Sequence, residues 1–240
     1  MDNFIEYINV SKSYKGNNVI ENFNLKIKEN EFLTILGTSG SGKTTILKMI
    51  NALIEPNNGS IKINNEEIVN KDIINLRRSI GYAIQGSVLF PHLNIYDNIS
   101  YVLNLLKLDE NIIRNRVIEL LKLVGLDESF ISRYPSELSG GQQQRISVAR
   151  SLAANPKIIL MDEPFGAVDG ITRIHLQMMI KEIHKKTNVT ILFVTHDINE
   201  AFTLGTKVLI MDKGKIEQYD TPEQIKLNPK TNFVKLLIGE

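Results

Sequence analysis

The sequence predicts an α/β fold with a mainly parallel sheet, an antiparallel β subdomain at its N-terminal end and a helical subdomain inserted in its middle. Three observations carry this expectation. Short β-rich apolar runs at Phe32–Leu36, Ile80–Ile84, Ile158–Met161, Val189–Thr195 and Val208–Met211 are separated by helical or turn-rich segments. Strands spaced in that way pair in parallel through crossovers. Two earlier runs, Phe4–Val10 and Val19–Ile27, lie too close together for a crossover, so they predict a hairpin turning at Lys15-Gly16-Asn17-Asn18. Between about Leu93 and Arg133 strand character disappears, and Leu103, Leu106, Ile113, Val117, Leu120, Leu121 and Val124 fall at helical spacing.

The 240 residues are expected to form one domain. About 1–92 and 156–240 would make the core with its β subdomain, and about 93–155 the helical subdomain. An apolar fraction of 42% and a charged fraction of 23% exclude wholesale disorder. A formal net charge of +1 argues against a dedicated nucleic-acid binder, which carries a strong basic excess. There is no cysteine, which removes disulfides, thiolate chemistry and zinc–thiolate sites and allows a reducing cytoplasm. The opening MDNFIEYINV lacks the basic start and apolar run of a signal peptide. Apolar stretches such as Ile191 to Val194 are far too short to cross a bilayer, so any membrane role requires another subunit.

Gly37-Thr38-Ser39-Gly40-Ser41-Gly42-Lys43-Thr44 has the spacing of a phosphate-binding P-loop. An apolar strand, Phe32 to Leu36, enters it, and a helix with Ile46, Leu47, Ile50 and Leu53 on one face is expected to leave it. Glycines let several N–H groups converge on one phosphate, and the following helix adds the positive end of its dipole. Lys43 is expected to reach the β- and γ-phosphates and the Thr44 hydroxyl to ligate Mg²⁺, with Thr45 completing the nucleotide-binding set. With Gly at about 7% of residues, a chance match somewhere in such a chain has odds of about one in a hundred, and the strand and helix around it lower them further.

Lys157-Ile158-Ile159-Leu160-Met161-Asp162-Glu163 is an apolar run ending in two carboxylates, as in a Walker B segment. Asp162, at the strand tip, can hold Mg²⁺ through water, and Glu163, one residue on, can polarise an attacking water. An acidic pair in an ordinary loop is usually just solvated; here it follows a buried strand and lies downstream of a P-loop. Between the two, Leu138-Ser139-Gly140-Gly141-Gln142 is identical to the signature sequence of ATP-binding-cassette (ABC) ATPases, and Gln143-Gln144-Arg145 continues it. Ser139 also reads as the cap of a helix from about Gln142 to Ala154, and a helix start is itself an anion site. The chain is identified as resembling ABC ATPases over essentially its whole length.

That resemblance implies a P-loop NTPase core and assigns further residues. Tyr14, in Val10-Ser11-Lys12-Ser13-Tyr14, stands where the family stacks an aromatic ring on adenine, although it also reads as a half-buried hairpin residue. Gln85 matches the Q-loop glutamine that touches Mg²⁺ and the attacking water and senses the transmembrane partner. His196 matches the switch histidine, and Asp169, in Gly166-Ala167-Val168-Asp169, the D-loop residue across the dimer interface. Ser139, Gly140, Gly141, Gln142 and Asp169 would serve the nucleotide of a second copy in a head-to-tail homodimer. Glu163, His196, Gln85 and Lys43 are the expected catalytic group, and Thr44, Gln85 and Asp162 the metal group, for ATP as substrate with Mg²⁺. The expected location is the cytoplasmic face of the cell membrane, held there by transmembrane permease subunits, with an extracytoplasmic substrate-binding protein as an indirect partner.

Within the family, Leu76-Arg77-Arg78-Ser79-Ile80-Gly81-Tyr82, Leu89-Phe90-Pro91-His92 and Met161 to Asp169 resemble importer cassettes for quaternary amines: glycine betaine, choline, carnitine and proline. Thr221-Pro222-Glu223-Gln224-Ile225 through Phe233-Val234-Lys235 does so too. Many of those cassettes carry Pro where Gly170 stands, and often a C-terminal pair of CBS domains. With Glu240 last, such regulation is expected to be absent, supplied elsewhere or removed. Polyamine, amino-acid and oxyanion importer cassettes, and non-transport ABC ATPases, are the alternatives.

Overall fold

Strands and helices alternate along the chain, as the spacing of apolar runs predicts. The computed structural model describes residues 4–84, 86, 88–166 and 168–239. In chain order the elements begin with β1 (Ile5–Tyr14), β2 (Asn17–Ile27), β3 (Phe32–Gly37), α1 (Lys43–Ile50), β4 (Asn58–Ile63), β5 (Glu66–Glu67) and α2 (Ile73–Ser79). There follow β6 (Ile80–Ala83), α3 (Ile95–Leu105), α4 (Glu110–Leu123), α5 (Gly140–Leu152), β7 (Ile158–Asp162) and α6 (Gly170–Thr187). The chain closes with β8 (Thr190–Val194), α7 (Ile198–Leu204), β9 (Lys207–Asp212), β10 (Lys215–Asp220), α8 (Pro222–Leu227) and α9 (Asn232–Ile238). Two compact units result: Met1–Arg77 with Val189–Glu240, and Arg78–Asn188.

In the first unit, β1 and β2 form the expected hairpin, with β1 running on to Tyr14. The turn is tighter than expected. Asn17 and Asn18 already pair with Tyr14 and Ser13, leaving Lys15 (φ 50°) and Gly16 (φ 83°) as its centre. Two successive positive φ values match the twist of the flanking strands. β4 pairs antiparallel with β1 and with β5, giving the order β2-β1-β4-β5. These short, polar strands, like β10, carry too few apolar residues to stand out in the sequence. β3 pairs in parallel with both β8 and β9, and β10 closes the edge of β9 antiparallel. All six residues of β3 are buried, which is why its sequence is a continuous apolar run. Leu36, Val208, Ile210, Ala201, Ile225 and Val234 form one apolar cluster of this unit. Tyr7 of β1 donates from its hydroxyl to Ile46 O of α1 at 2.7 Å, tying the hairpin to the helix that follows the phosphate loop.

One expectation for that helix fails. Ile46, Leu47 and Ile50 are buried, but Leu53 is 49% exposed. The helix stops at Ile50, Asn51 caps it and Ala52 turns left-handed (φ 53°), so Leu53 never joins the apolar face.

In the second unit, β6 and β7 pair in parallel, Ile80 opposite Ile158 and Ala83 opposite Met161. The stretch between them is helical, and α3, α4 and α5 pack on one another. Ile95, Ile99 and Leu103 of α3, Ile113, Val117, Leu120 and Leu121 of α4, and Ile146, Val148, Ala149 and Leu152 of α5 are buried. Helix ends that no side chain of their own caps are closed by arginines. Arg116 donates to the carbonyls of Leu152 (2.9 Å) and Ala153 (3.3 Å), and Arg145 to Val124 O (2.9 Å). A Cβ on Gly81 would lie 2.2 Å from Ser151 O, so α5 rests directly on β6. No helix among the described residues is long and apolar enough to cross a membrane.

Candidate nucleotide-binding site

The first unit carries the phosphate loop. It leaves the end of β3, closes a turn from Ser41 N to Thr38 O (3.2 Å) and enters α1 at Lys43. Gly42 is the N-cap, with φ 97°, and a Cβ there would meet Ile20 Cδ1 at 2.4 Å and Val19 O at 3.1 Å. Only glycine combines that left-handed backbone with so close an approach to β2. Lys43 is 7% exposed and its ammonium arches back over the loop to Gly37 O (2.9 Å) and Thr38 O (2.8 Å). The Thr38 hydroxyl donates to Asp212 Oδ1 at 2.8 Å, at the end of β9. Gly42 gives α1 no side-chain cap, and Ser41 Oγ is buried with no hydrogen-bond partner among the described residues. Uncapped helix donors, an orphaned hydroxyl and a lysine confined to the loop fit a phosphate chain, each charge-assisted bond contributing about 1.5–3 kcal/mol.

Tyr14 ends β1 and is 44% exposed, the Lys12 ammonium lying 5.3 Å from its ring centroid. The residue is exposed rather than half-buried in the hairpin. His196 follows β8 and is exposed. Its neighbours hold the backbone on both sides. The buried Thr195 hydroxyl donates to Glu200 Oε2 (2.6 Å) and accepts from Asp197 N (3.0 Å), while Asp197 caps α7 through Asn199 N (2.8 Å) and Glu200 N (3.2 Å).

The second unit carries the acidic pair and the signature segment. Asp162 is the last residue of β7 and is 7% exposed. Its negative charge, after burial, helps push the Tyr82 hydroxyl well above the usual tyrosine range. Glu163 has φ 44°. A left-handed non-glycine residue costs about 1–2 kcal/mol, and the turn takes its side chain out of the strand's alternation with Asp162. Ser139 caps α5 and forms a reciprocal box with Gln142: Ser139 Oγ accepts from Gln142 N (3.3 Å) and Gln142 Oε1 accepts from Ser139 N (2.9 Å). The helix therefore starts at Gly140, not Gln142, and ends at Leu152, because its first residue must follow the cap directly. Gly140 faces open space, whereas a Cβ on Gly141 would lie 2.5 Å from Thr172 Cγ2. Asp169 caps α6, accepting from Ile171 N (3.1 Å) and Thr172 N (3.0 Å). The Thr172 hydroxyl, then its N–H, hold the Asp169 carboxyl below the usual range. Gln85 lies outside the described residues. Thr172 had no signal in the sequence, and Leu89–His92 stood out there only for its resemblance to importer cassettes; the packing of both against α5 becomes visible only in the structure.

An α/β chain with this glycine-rich loop between a buried parallel strand and a helix is of the P-loop NTPase class. The family described as ABC transporter matches residues 20–166. The choline transport ATP-binding protein of Bacillus subtilis (strain 168) is 52% identical over 233 residues, 97% of this chain and 61% of that relative. The carnitine transport ATP-binding protein of Listeria monocytogenes is 50% identical over 237 residues, 98% of this chain and 60% of that relative. The solved dimeric structure of a post-hydrolysis state of the ATP-binding cassette MJ0796, bound to ADP and Pi, superimposes with a TM-score of 0.81 at 36% identity, over 91% of this chain and 98% of that one. The chain belongs to the ABC transporter family. It spans about three-fifths of the length of the curated relatives it matches.

Proposed function

We propose that this chain is the ATP-binding and ATP-hydrolysing subunit of an importer for a quaternary-amine osmoprotectant such as choline, carnitine or glycine betaine. The observation that carries the reading is the presence in one chain of both an intact phosphate loop, Gly37 to Thr44, and an intact capped signature, Ser139 to Gln142. Relatives about half identical that are named for choline and carnitine transport support the substrate class. The chain acts in this proposal as one ABC ATPase domain, with a helical subdomain over about 93–155.

Roles follow from the chemistry of each residue. Tyr14 stacks on the adenine, which contributes about 1–3 kcal/mol. Residues 37–45 hold the phosphates through backbone N–H groups, the Lys43 ammonium and the Thr44 hydroxyl. Mg²⁺, when bound, neutralises charge on the β- and γ-phosphate oxygens. Thr44, Gln85 and the carboxylate of Asp162 suit that ion, being hard oxygen donors. Glu163 polarises the attacking water, and His196 donates toward the charge that develops on the transferring phosphoryl. Ser139, Gly140, Gly141, Gln142 and Asp169 serve the nucleotide of a second copy, so hydrolysis requires a head-to-tail homodimer. Nucleotide bridges the two copies and its cleavage releases them. Permease subunits hold the pair at the cytoplasmic face of the membrane and receive the motion through the helical subdomain and the region of Gln85. An extracytoplasmic binding protein delivers the substrate.

The test is ATPase activity in proteoliposomes containing the permease and substrate-binding subunits encoded beside this chain, loaded in turn with glycine betaine, choline, carnitine and spermidine. Stimulation by a quaternary amine and its loss on Lys43→Ala is the expected result. Stimulation by spermidine alone would overturn the substrate class. Glu163→Gln should bind ATP and dimerise stably yet fail to hydrolyse, and rapid turnover by that variant would remove Glu163 from its role.

A further inference from the structure

Thr38 is held from both sides of the phosphate loop. Its carbonyl accepts the Lys43 ammonium at 2.8 Å and the Ser41 N–H at 3.2 Å. Its hydroxyl donates outward to Asp212 Oδ1 at 2.8 Å. The ammonium that serves the phosphates therefore rests on a residue whose side chain is tied to the last residue of β9.

The turn that carries Asp212 is itself well supported. Gly37 pairs with Met211 in the sheet, and a Cβ on Gly37 would lie 2.1 Å from Met211 O, so the end of β9 runs flush against the start of the loop. Beyond Asp212 the chain reverses through Lys213 (φ 45°) and Gly214 (φ 78°) into β10. Gly214 N donates to Ser41 O at 3.2 Å. β2 lies behind the turn: a Cβ on Gly214 would be 2.3 Å from Val19 O, and Lys215 forms an ion pair with Glu21 at 3.2 Å. The turn thus meets the loop twice, through a side chain at Thr38 and through backbone at Ser41.

Two opposing effects meet at Asp212. Its carboxylate has no cation within 4 Å among the described residues. A negative charge at the edge of a polyphosphate site repels the ligand. Against that, a hydrogen bond to an ionised acceptor is about twice as strong as one between neutral groups. Thr38 is exposed, so without this bond its hydroxyl would turn to water and the loop would lose its outer anchor.

We propose that Asp212 is a positioning residue for ATP binding: through Thr38 it fixes the part of the loop on which the Lys43 ammonium rests, with Gly214 N as the second point of the clamp. The proposal deepens the functional reading and rests on Gly37–Thr44 holding the phosphates of ATP.

The test compares the full chain with Asp212→Ala, Asp212→Asn and Thr38→Val. Three quantities are measured: the dissociation constant of a fluorescent ATP analogue, KM and kcat for ATP in the proteoliposomes described above, and the urea midpoint without nucleotide. Asp212→Ala and Thr38→Val should each weaken analogue binding at least about fivefold. KM should rise to match while kcat stays within about twofold, because the loop grips ATP before and during transfer alike. Asp212→Asn keeps the acceptor and drops the charge, so its affinity should equal or exceed the parent's. Thr38→Val, nearly isosteric, carries the test if Asp212→Ala does not fold. Parent-like affinity in Thr38→Val would overturn the proposal. So would Asp212→Asn binding as weakly as Asp212→Ala, since the charge and not the hydrogen bond would then be the requirement. A lowered urea midpoint with unchanged affinity would also overturn it, marking a support for folding alone. Undiminished analogue binding by Lys43→Ala would instead overturn the reading of the loop itself, and that control separates the two failures.

Discussion

Gly141→Ala sets two well-known effects against each other, and the structure decides which wins. In an ordinary helix the substitution stabilises by about 0.5–1 kcal/mol, because alanine loses less backbone freedom on folding. Here the added methyl would lie 2.5 Å from Thr172 Cγ2, about 1 Å inside normal carbon–carbon separation. Thr172 has little room to yield. Its backbone N–H is held by Asp169 Oδ1 at 3.0 Å and its hydroxyl bonds the same carboxylate, which aims the methyl at Gly141. Overpacking of this kind costs about 1–3 kcal/mol, so the net expectation is a loss of about 0.5–2 kcal/mol. In a Thr172→Ala background the obstruction is gone, and Gly141→Ala should then stabilise. Urea unfolding of the four members of this double-mutant cycle measures the coupling, expected at about 1–3 kcal/mol. If Gly141→Ala proves as stable as the parent, or if Thr172→Ala fails to relieve it, then the glycine is not required by this contact.

Two further predictions rest on local geometry and charge. Gly42→Ala forces a side chain onto φ 97° and to 2.4 Å from Ile20 Cδ1, which adds about 1–2 kcal/mol of backbone strain to an overpacking term. It should lower the urea midpoint and weaken binding of a fluorescent ATP analogue, and normal behaviour in both would refute the packing of the loop on β2. Glu31 is buried and accepts the Tyr219 hydroxyl at 2.7 Å, and burial holds its carboxyl above the usual value of 4.5. A raised folded-state pKa means that stability from this group is fully present below that usual value and is lost as pH rises through the folded pKa. Glu31→Gln keeps an acceptor for Tyr219 without the charge, so its urea midpoint should fall less than the parent's between pH 4.5 and neutrality. A parallel fall in both would show that Glu31 contributes no pH dependence.

The parts of this protein that were legible in the sequence are those whose chemistry requires particular residue types at fixed spacing. A phosphate cradle needs Gly40, Gly42 and Lys43 in order, and an N-cap followed by its box partner needs Ser139 and Gln142 three apart, so both can be read locally. Strands β3, β7, β8 and β9 were legible because burial on both faces turns them into unbroken apolar runs. β4, β5 and β10 were not, being short and largely polar. Leu53 misled because helical spacing continues past the point where Ala52 turns left-handed, and a pattern of apolar residues carries no mark of that turn.

The supports of the site could not be read for a different reason: each is a meeting of residues far apart in the chain. Thr172 is an unremarked threonine until Gly141 is found beneath its methyl, and Arg150 an ordinary helix arginine until Val88 O and the Phe90 ring are found under its fork. Both meetings fall on α5, one at its capped first turn and the other at its last. The signature helix is thus held at both ends by segments outside it, with β6 along its length where Gly81 admits Ser151 O. Thr172→Ala removes the support of the capped end, so it should weaken ATP-driven dimerisation of the Glu163→Gln chain, and unchanged dimerisation would show that the signature end needs no such support.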